Sequence, residues 1–161
     1  MNIVRLILAV SLVVVTTAQT QTVRVGTLHK GGIVVAFVRS KLFSETVMKP
    51  KLEEMDRAKK AGDTKKVEEL NAWGQQHQTR VHEQLAVERP IDDIIAALAP
   101  AFPEIAKKAG VAIICADLAY AGPGVEQVDV TDQVLDWLQS DETTRKIVKE
   151  VRSQKGPVHV H

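Results

Sequence analysis

The chain has 161 residues, of which 21 are lysine or arginine and 20 are aspartate or glutamate, so its formal net charge is only +1. The length fits one domain, and the balanced charge excludes the strongly basic composition typical of nucleic-acid-binding proteins, so we expect no nucleic acid partner. Cys115 is the single cysteine, which excludes an intrachain disulfide.

The first 18 residues have the layout of a secretory signal peptide. Arg5 precedes an apolar run over residues 6–15 that only Ser11 interrupts, and small residues follow it up to Ala18. The run is about half as long as the roughly 20 residues that a membrane-spanning helix needs. We therefore expect cleavage after Ala18 and an exported, soluble mature chain; a retained membrane anchor is the alternative.

Residues 23–28 (VRVGTL) alternate in a way that predicts a short strand, which can pair with a second strand at residues 111–115. The next four residues, His29 to Gly32, are interpreted as a flexible connector because two glycines end them. The apolar residues 33–38 fit either another strand or a short buried helix.

Residues 40–89 are rich in polar, helix-favouring residues, which predicts a protruding antiparallel helical hairpin. Gly62 ends the first helix and Asp63 or Thr64 caps the second. Each arm has about 20–25 residues and reaches roughly 30–38 Å, and Pro50 predicts a kink or a new helix start in the first arm. The arms carry these apolar residues: Leu42, Phe43, Val47, Met48, Leu52, Met55, Ala58, Val67, Leu70, Val81 and Leu85.

The reversal of the hairpin carries the clearest charge cluster of the chain. Five basic residues oppose Asp56 and Asp63 there, namely Arg57, Lys59, Lys60, Lys65 and Lys66. A protruding basic tip attracts acidic client surfaces or anionic lipid headgroups through a screened field. The alternative is a solvated turn whose lysines serve solubility and the helix dipole.

Three prolines, at positions 90, 100 and 103, break the chain after the hairpin, with a short amphipathic segment at 91–98 and a helix at 104–109 between them. Residues 111–115 predict a fully buried strand. Residues 125–130 predict another strand after a Gly-Pro breaker.

Two short helices are predicted at the end of the chain. The first is capped by Thr131 or Asp132 and holds Trp137, which we expect to pack on the sheet. The second spans 142–151 with Ser140 or Asp141 as its cap, and the tail after it should fray.

No pattern of residues predicts catalysis, a metal or a cofactor. The carboxylates at 92, 93, 117, 129 and 132 lack a paired base or nucleophile at a recognisable spacing. His77 and His82 are five residues apart and point to different faces of a helix. We expect no enzyme, and a small-ligand or enzyme site near Asp117 and His29 is the weakest alternative.

The segment from residue 110 to 138 combines a strand, an Ala-Tyr loop, a Gly-Pro turn and then VDVTDQVLDWL. It resembles the C-terminal signature of the Skp/OmpH-type periplasmic chaperones, and the resemblance covers residues 23–138. It implies an α+β domain in which an N-terminal strand and this C-terminal unit form a small body with a long helical hairpin inserted between them. It also implies a short helix at 33–38.

The family resemblance implies a domain at 19–139, followed by a C-terminal helix and tail at 140–161. It further implies homotrimers in which the hairpins enclose a client cavity. The short, proline-broken arms of this chain favour a shallower and more open clamp.

The predicted function is that of a periplasmic holdase, which binds unfolded or outer-membrane proteins without ATP. The alternative is a non-enzymatic structural or interaction module of the cell envelope.

Overall fold

The computed structural model describes residues 22–154, so the predicted signal peptide and residues 155–161 lie outside the described part. The described residues form an α+β fold, as predicted. Its elements in chain order are β1 (Val23–Thr27), α1 (Lys30–Val38), α2 (Lys41–Phe43), a π-helical turn (Ser44–Met48), α3 (Lys49–Ala61), α4 (Thr64–Leu85), α5 (Asp92–Leu98), a 3₁₀ turn (Ala99–Ala101), α6 (Phe102–Ala109), β2 (Ile113–Cys115), β3 (Val125–Asp129), α7 (Thr131–Trp137) and α8 (Glu142–Ser153). None of the helices from residue 22 to 154 combines the length and apolar character needed to cross a membrane.

The three strands form one parallel sheet in the order β2-β1-β3. The strand nearest the amino terminus is therefore central, and its predicted pairing with the segment before Cys115 is confirmed by the register Val25 to Ile113. The prediction that residues 111–115 form a fully buried strand is wrong. β2 has only three residues and lies at the sheet edge, and Ile113 is 56% exposed because its side chain lies on the face of the sheet opposite the core.

The connector predicted at residues 29–32 is also wrong, because α1 begins at Lys30. His29 caps this helix: its Nδ1 accepts a hydrogen bond from the backbone N–H of Gly32 at 3.1 Å. The short buried helix implied for residues 33–38 is confirmed, and Ile33, Val34 and Ala36 have no exposed surface.

The glycines at the start of α1 allow α8 to approach closely. A Cβ on Gly31 would lie 3.2 Å from Cγ1 of Val151, and one on Gly32 would lie 3.1 Å from Cγ1 of Val148. Val148 and Val151 are buried, as is Thr144, which accepts a hydrogen bond from Nε of Arg39 at 2.9 Å. The C-terminal helix, capped by Asp141 as predicted, is therefore part of the core.

The hairpin runs from α2 to the end of α4, and its predicted reversal is confirmed. Gly62 has a left-handed φ of 70° and ends α3, and Asp63 Oδ1 accepts a hydrogen bond from the N–H of Lys66 at 2.9 Å. The predicted disturbance at Pro50 takes the form of the π-helical turn, after which α3 starts with Pro50 in its first turn.

The chain returns from the hairpin through a polar joint. Gln84 is buried at the end of α4, and its amide donates hydrogen bonds to the carbonyl of Pro90 at 3.0 Å and to Oδ1 of Asp93 at 2.7 Å. α6 begins two residues before the predicted start at 104, because Pro103 fits within a first helical turn.

The cap predicted for α7 at Thr131 or Asp132 is not formed by either side chain. Asp129, at the end of β3, instead accepts a hydrogen bond from the N–H of Thr131 at 2.8 Å. The hydroxyl of Thr131 accepts from the N–H of His29 at 2.9 Å, so it joins the end of β1 to the start of α7.

Candidate functional site

The five predicted basic residues all lie at the tip of the hairpin. Arg57, Lys59 and Lys60 belong to the last turns of α3, and Lys65 and Lys66 belong to the first turn of α4. All are exposed except Lys66, which is half-buried. The cluster predicted from the sequence therefore exists as one surface, which we call the basic tip.

Lys66 differs from the other four because it takes part in an ion-pair network between the arms. Its Nζ lies 2.9 Å from Oε1 of Glu54 and 3.5 Å from Oε2 of Glu69, and Lys51 contacts the other oxygen of Glu54 at 3.0 Å. Hydrogen bonds from Lys66 and Lys51 lower the pKa of Glu54, and the same contact with Glu54 raises the pKa of Lys66. Lys66 therefore holds α3 to α4 and contributes least to the outward charge.

The helix dipole acts differently on the lysines before and after the reversal. Lys59 and Lys60 lie at the C-terminal end of α3, where positive charge is favourable. Lys65 lies in the first turn of α4, where the dipole disfavours positive charge. Helix stability thus explains the lysines before the reversal but not Lys65 after it.

A shallow groove of about 360 Å³ runs between the arms beside the basic tip. Its floor contains Ala58 and Val67, and its rim contains Lys59 and Glu68. Further along α3, Leu52, one of the apolar residues of the first arm, is 58% exposed. The hairpin therefore presents small apolar surfaces between charged side chains.

The base of the hairpin holds a column of aromatic rings that the sequence did not predict as a unit. The ring of His77 stacks on Trp73 with centroids 5.3 Å apart and on Phe43 at 5.4 Å, and Phe43 meets Phe37 edge-on at 5.5 Å. Lys51 Nζ lies 5.6 Å from the centroid of Trp73. Trp73 therefore packs within the molecule. The available signal was the four-residue spacing of Trp73 and His77, which places both on one face of α4.

His77 is poorly placed to carry a charge. Its Nε2 is buried and has no hydrogen-bond partner among the described residues. Burial, helped by Arg80, lowers the pKa of His77 below its ordinary value, while Asp93 acts in the opposite direction. This environment therefore favours the neutral imidazole more than water does.

Within the described residues, Asp117 and His29 lie in different surroundings. Asp117 is exposed and pairs with Nζ of Lys30 at 2.5 Å, in an open cleft lined also by residues 87–92. His29 caps α1 and lies near Asp129 and Arg152. Cys115 is a half-buried free thiol at the end of β2, and within residues 22–154 no group of three or more potential ligands is arranged for a metal ion.

Comparison of the chain with protein-family models, with curated proteins and with solved structures gives no match.

Proposed function

We propose that this protein is an exported, periplasmic holdase-type chaperone that binds unfolded or outer-membrane proteins without ATP through its helical hairpin. The observation that carries the proposal is the position of the hairpin. The hairpin, α2 to α4, is inserted between the central strand β1 and the two edge strands that complete its sheet. This is the order of elements that the resemblance to the Skp/OmpH-type chaperones requires.

The surface of the hairpin suits weak and reversible binding. Leu52 and the groove floored by Ala58 and Val67 offer small apolar contacts, and the basic tip attracts acidic client segments or anionic lipid headgroups through a field that salt screens. Each contact is weak alone. Several arms acting on one client retain it by effective concentration, while each contact can still release.

Several arms act together if the chain forms a homo-oligomer, a trimer by resemblance. One face of the sheet supports this part of the proposal. Val23, Val25, Ile113 and Val125 share that face through the strand register, with Gln127 and Asp129 as its exposed polar members, and Val23 is 48% and Ile113 56% exposed. The opposite face packs on the core through Ile114 and Val128. Parallel sheets are normally covered on both faces, so a second copy of the chain is the occupant that this apolar face fits.

The test is suppression of client aggregation. A urea-unfolded outer-membrane protein is diluted into buffer with a molar excess of the mature chain, and light scattering is followed over time. We expect scattering to fall, and to fall less with Leu52→Ser, because this change removes an exposed apolar contact without touching the core. Glu53→Ser, at the neighbouring exposed position of α3, is the matched control and should act like the unmodified chain.

Absence of any suppression at molar excess would contradict the proposal. Capture of one stoichiometric envelope partner, without activity on unfolded clients, would indicate the interaction module instead.

A further inference from the structure

The aromatic column joins the hairpin to the body at a place where the helical geometry changes. Phe43 ends α2, the first helix of the hairpin, and contacts Phe37 of α1 in the body. The π-helical turn Ser44–Met48 follows it and leads into α3. Trp73 and His77 reach the column from α4. A π-helical turn interrupts the regular hydrogen bonding of a helix and is frequent at functional sites, which makes this turn a suitable hinge.

Protonation of His77 changes the number of N–H groups that the aromatic column has to bury. A neutral imidazole keeps one nitrogen as a bare acceptor, whereas an imidazolium carries an N–H on both nitrogens. Nε2 of His77 is buried without a partner in the described chain, so protonation of the closed column would bury a charged donor that has no acceptor. Opening of the column brings Nε2 to water and removes this cost.

The charges around the column do not supply the missing acceptor. α1 and α2 contribute the rings of Phe37 and Phe43, which are neither charged nor hydrogen-bond acceptors of the usual kind. α3 contributes Lys51, which is positive and lies over Trp73. The charged groups that act on His77 from α4 and α5 are Arg80 and Asp93, which lie 3.9 Å apart. Asp93 also accepts from Gln84 at 2.7 Å, so its carboxylate is already engaged.

We propose that protonation of His77 in mildly acidic solution opens the aromatic column, which releases α4 from Phe43 and parts the arms at their base. Protons bind the open state better, so acid shifts the population towards it. The ratio of open to closed molecules can rise up to about tenfold per pH unit below about 6.5, the ordinary pKa of histidine, until the closed state is itself protonated. Opening of the column does not depend on the proposed function. Only its consequence, a change in how clients are held, rests on that function.

The experiment follows Trp73 as the single tryptophan in a Trp137→Phe background. Quenching of Trp73 fluorescence by acrylamide is measured between about pH 7.5 and pH 5, with far-UV circular dichroism as a check of the fold. We expect accessibility to rise several-fold with a midpoint below about pH 6.5, while the helical signal stays constant.

Two variants decide whether His77 is responsible. His77→Phe keeps a stacked ring that cannot ionise, so Trp73 should stay protected at all pH values. His82→Phe, at an exposed position of the same helix, is the matched control and should respond like the background. Should circular dichroism show that His77→Phe is misfolded at neutral pH, His77→Leu replaces it as the variant that cannot ionise.

The inference is overturned if Trp73 accessibility does not change with pH, or if it changes equally when residue 77 cannot ionise. Client aggregation is measured separately at both pH values. A chain that opens in acid but never suppresses aggregation contradicts the holdase proposal and leaves the hinge intact.

Discussion

His29 holds the start of α1 through a nitrogen that must remain unprotonated. Its Nδ1 accepts from the N–H of Gly32 at 3.1 Å, and its backbone N–H donates to Thr131 at 2.9 Å. Burial and the neighbouring Arg152 lower the pKa of His29, and Asp129 partly opposes them. The folded chain thus prefers neutral His29, whereas the unfolded chain takes up the proton more readily.

Stability should therefore fall as the pH falls. The contribution of His29 is complete above its unfolded pKa of about 6.5 and is lost as the pH falls through the lower pKa of the folded state. His29→Asn keeps an oxygen that can cap the helix but cannot ionise in this range. We expect its free energy of unfolding, from urea titrations at about pH 7.5 and pH 5, to fall less than that of the unmodified chain. An equal fall in the free energy of unfolding of the variant and of the unmodified chain would contradict this role of His29. His77 is present in both chains and contributes equally to both.

At the scale of single elements, two helical glycines should respond in opposite ways to alanine. A Cβ on Gly32 of α1 would lie 3.1 Å from Cγ1 of buried Val148, whereas a Cβ on Gly74 of α4 would meet nothing within 4 Å. Gly32→Ala should lower the free energy of unfolding by about 1–2 kcal/mol, because overpacking outweighs the gain in helix propensity. Gly74→Ala should raise it by about 0.5–1 kcal/mol, because it removes the flexibility of glycine from a helix.

Urea denaturation of both glycine variants beside the unmodified chain checks this pair. A stabilising Gly32→Ala would mean that α8 does not lie against α1 as described.

The elements that the sequence predicted correctly are those with local signals. Gly62 and Asp63 mark the reversal of the hairpin through conformations and caps that depend on neighbours in the chain. The glycines at positions 31 and 32 show the limit of local signals. Their local pattern predicts a connector, but in the structure they let α8 approach α1 closely. α8 lies more than 100 residues later in the chain, and no local pattern predicts that contact.

The candidate site likewise has features that local sequence signals predict and features that they do not. The position of the basic tip follows from the predicted reversal, so its five residues could be named in advance. The pairing of Lys66 with Glu54 and the contact of His77 with Phe43 depend on how the two arms pack, which no local pattern of the sequence predicts.

At the scale of the whole molecule, the described helices pack on one face of the small sheet and leave part of the other face exposed. Three parallel strands pack one face on the helices through Ile114 and Val128. Val25, in the central strand, is buried but does not belong to the core cluster, and Val23 and Ile113 beside it are about half exposed. The proposed self-association would cover this face, since parallel sheets are normally covered on both faces.

Ile113→Asp tests this association, because a carboxylate on the open face would have to be desolvated in an interface between copies. We expect the unmodified chain to have a multiple of the monomer mass by light scattering, and Ile113→Asp to have the monomer mass with unchanged circular dichroism. Val87→Asp is the matched control: Val87 is 55% exposed, but it lies in the loop between α4 and α5. It should keep the mass of the unmodified chain, since a charge away from the sheet leaves an interface on that face intact. A monomeric unmodified chain, or an Ile113→Asp variant of unchanged mass, would contradict association through this face and would leave each hairpin to act alone.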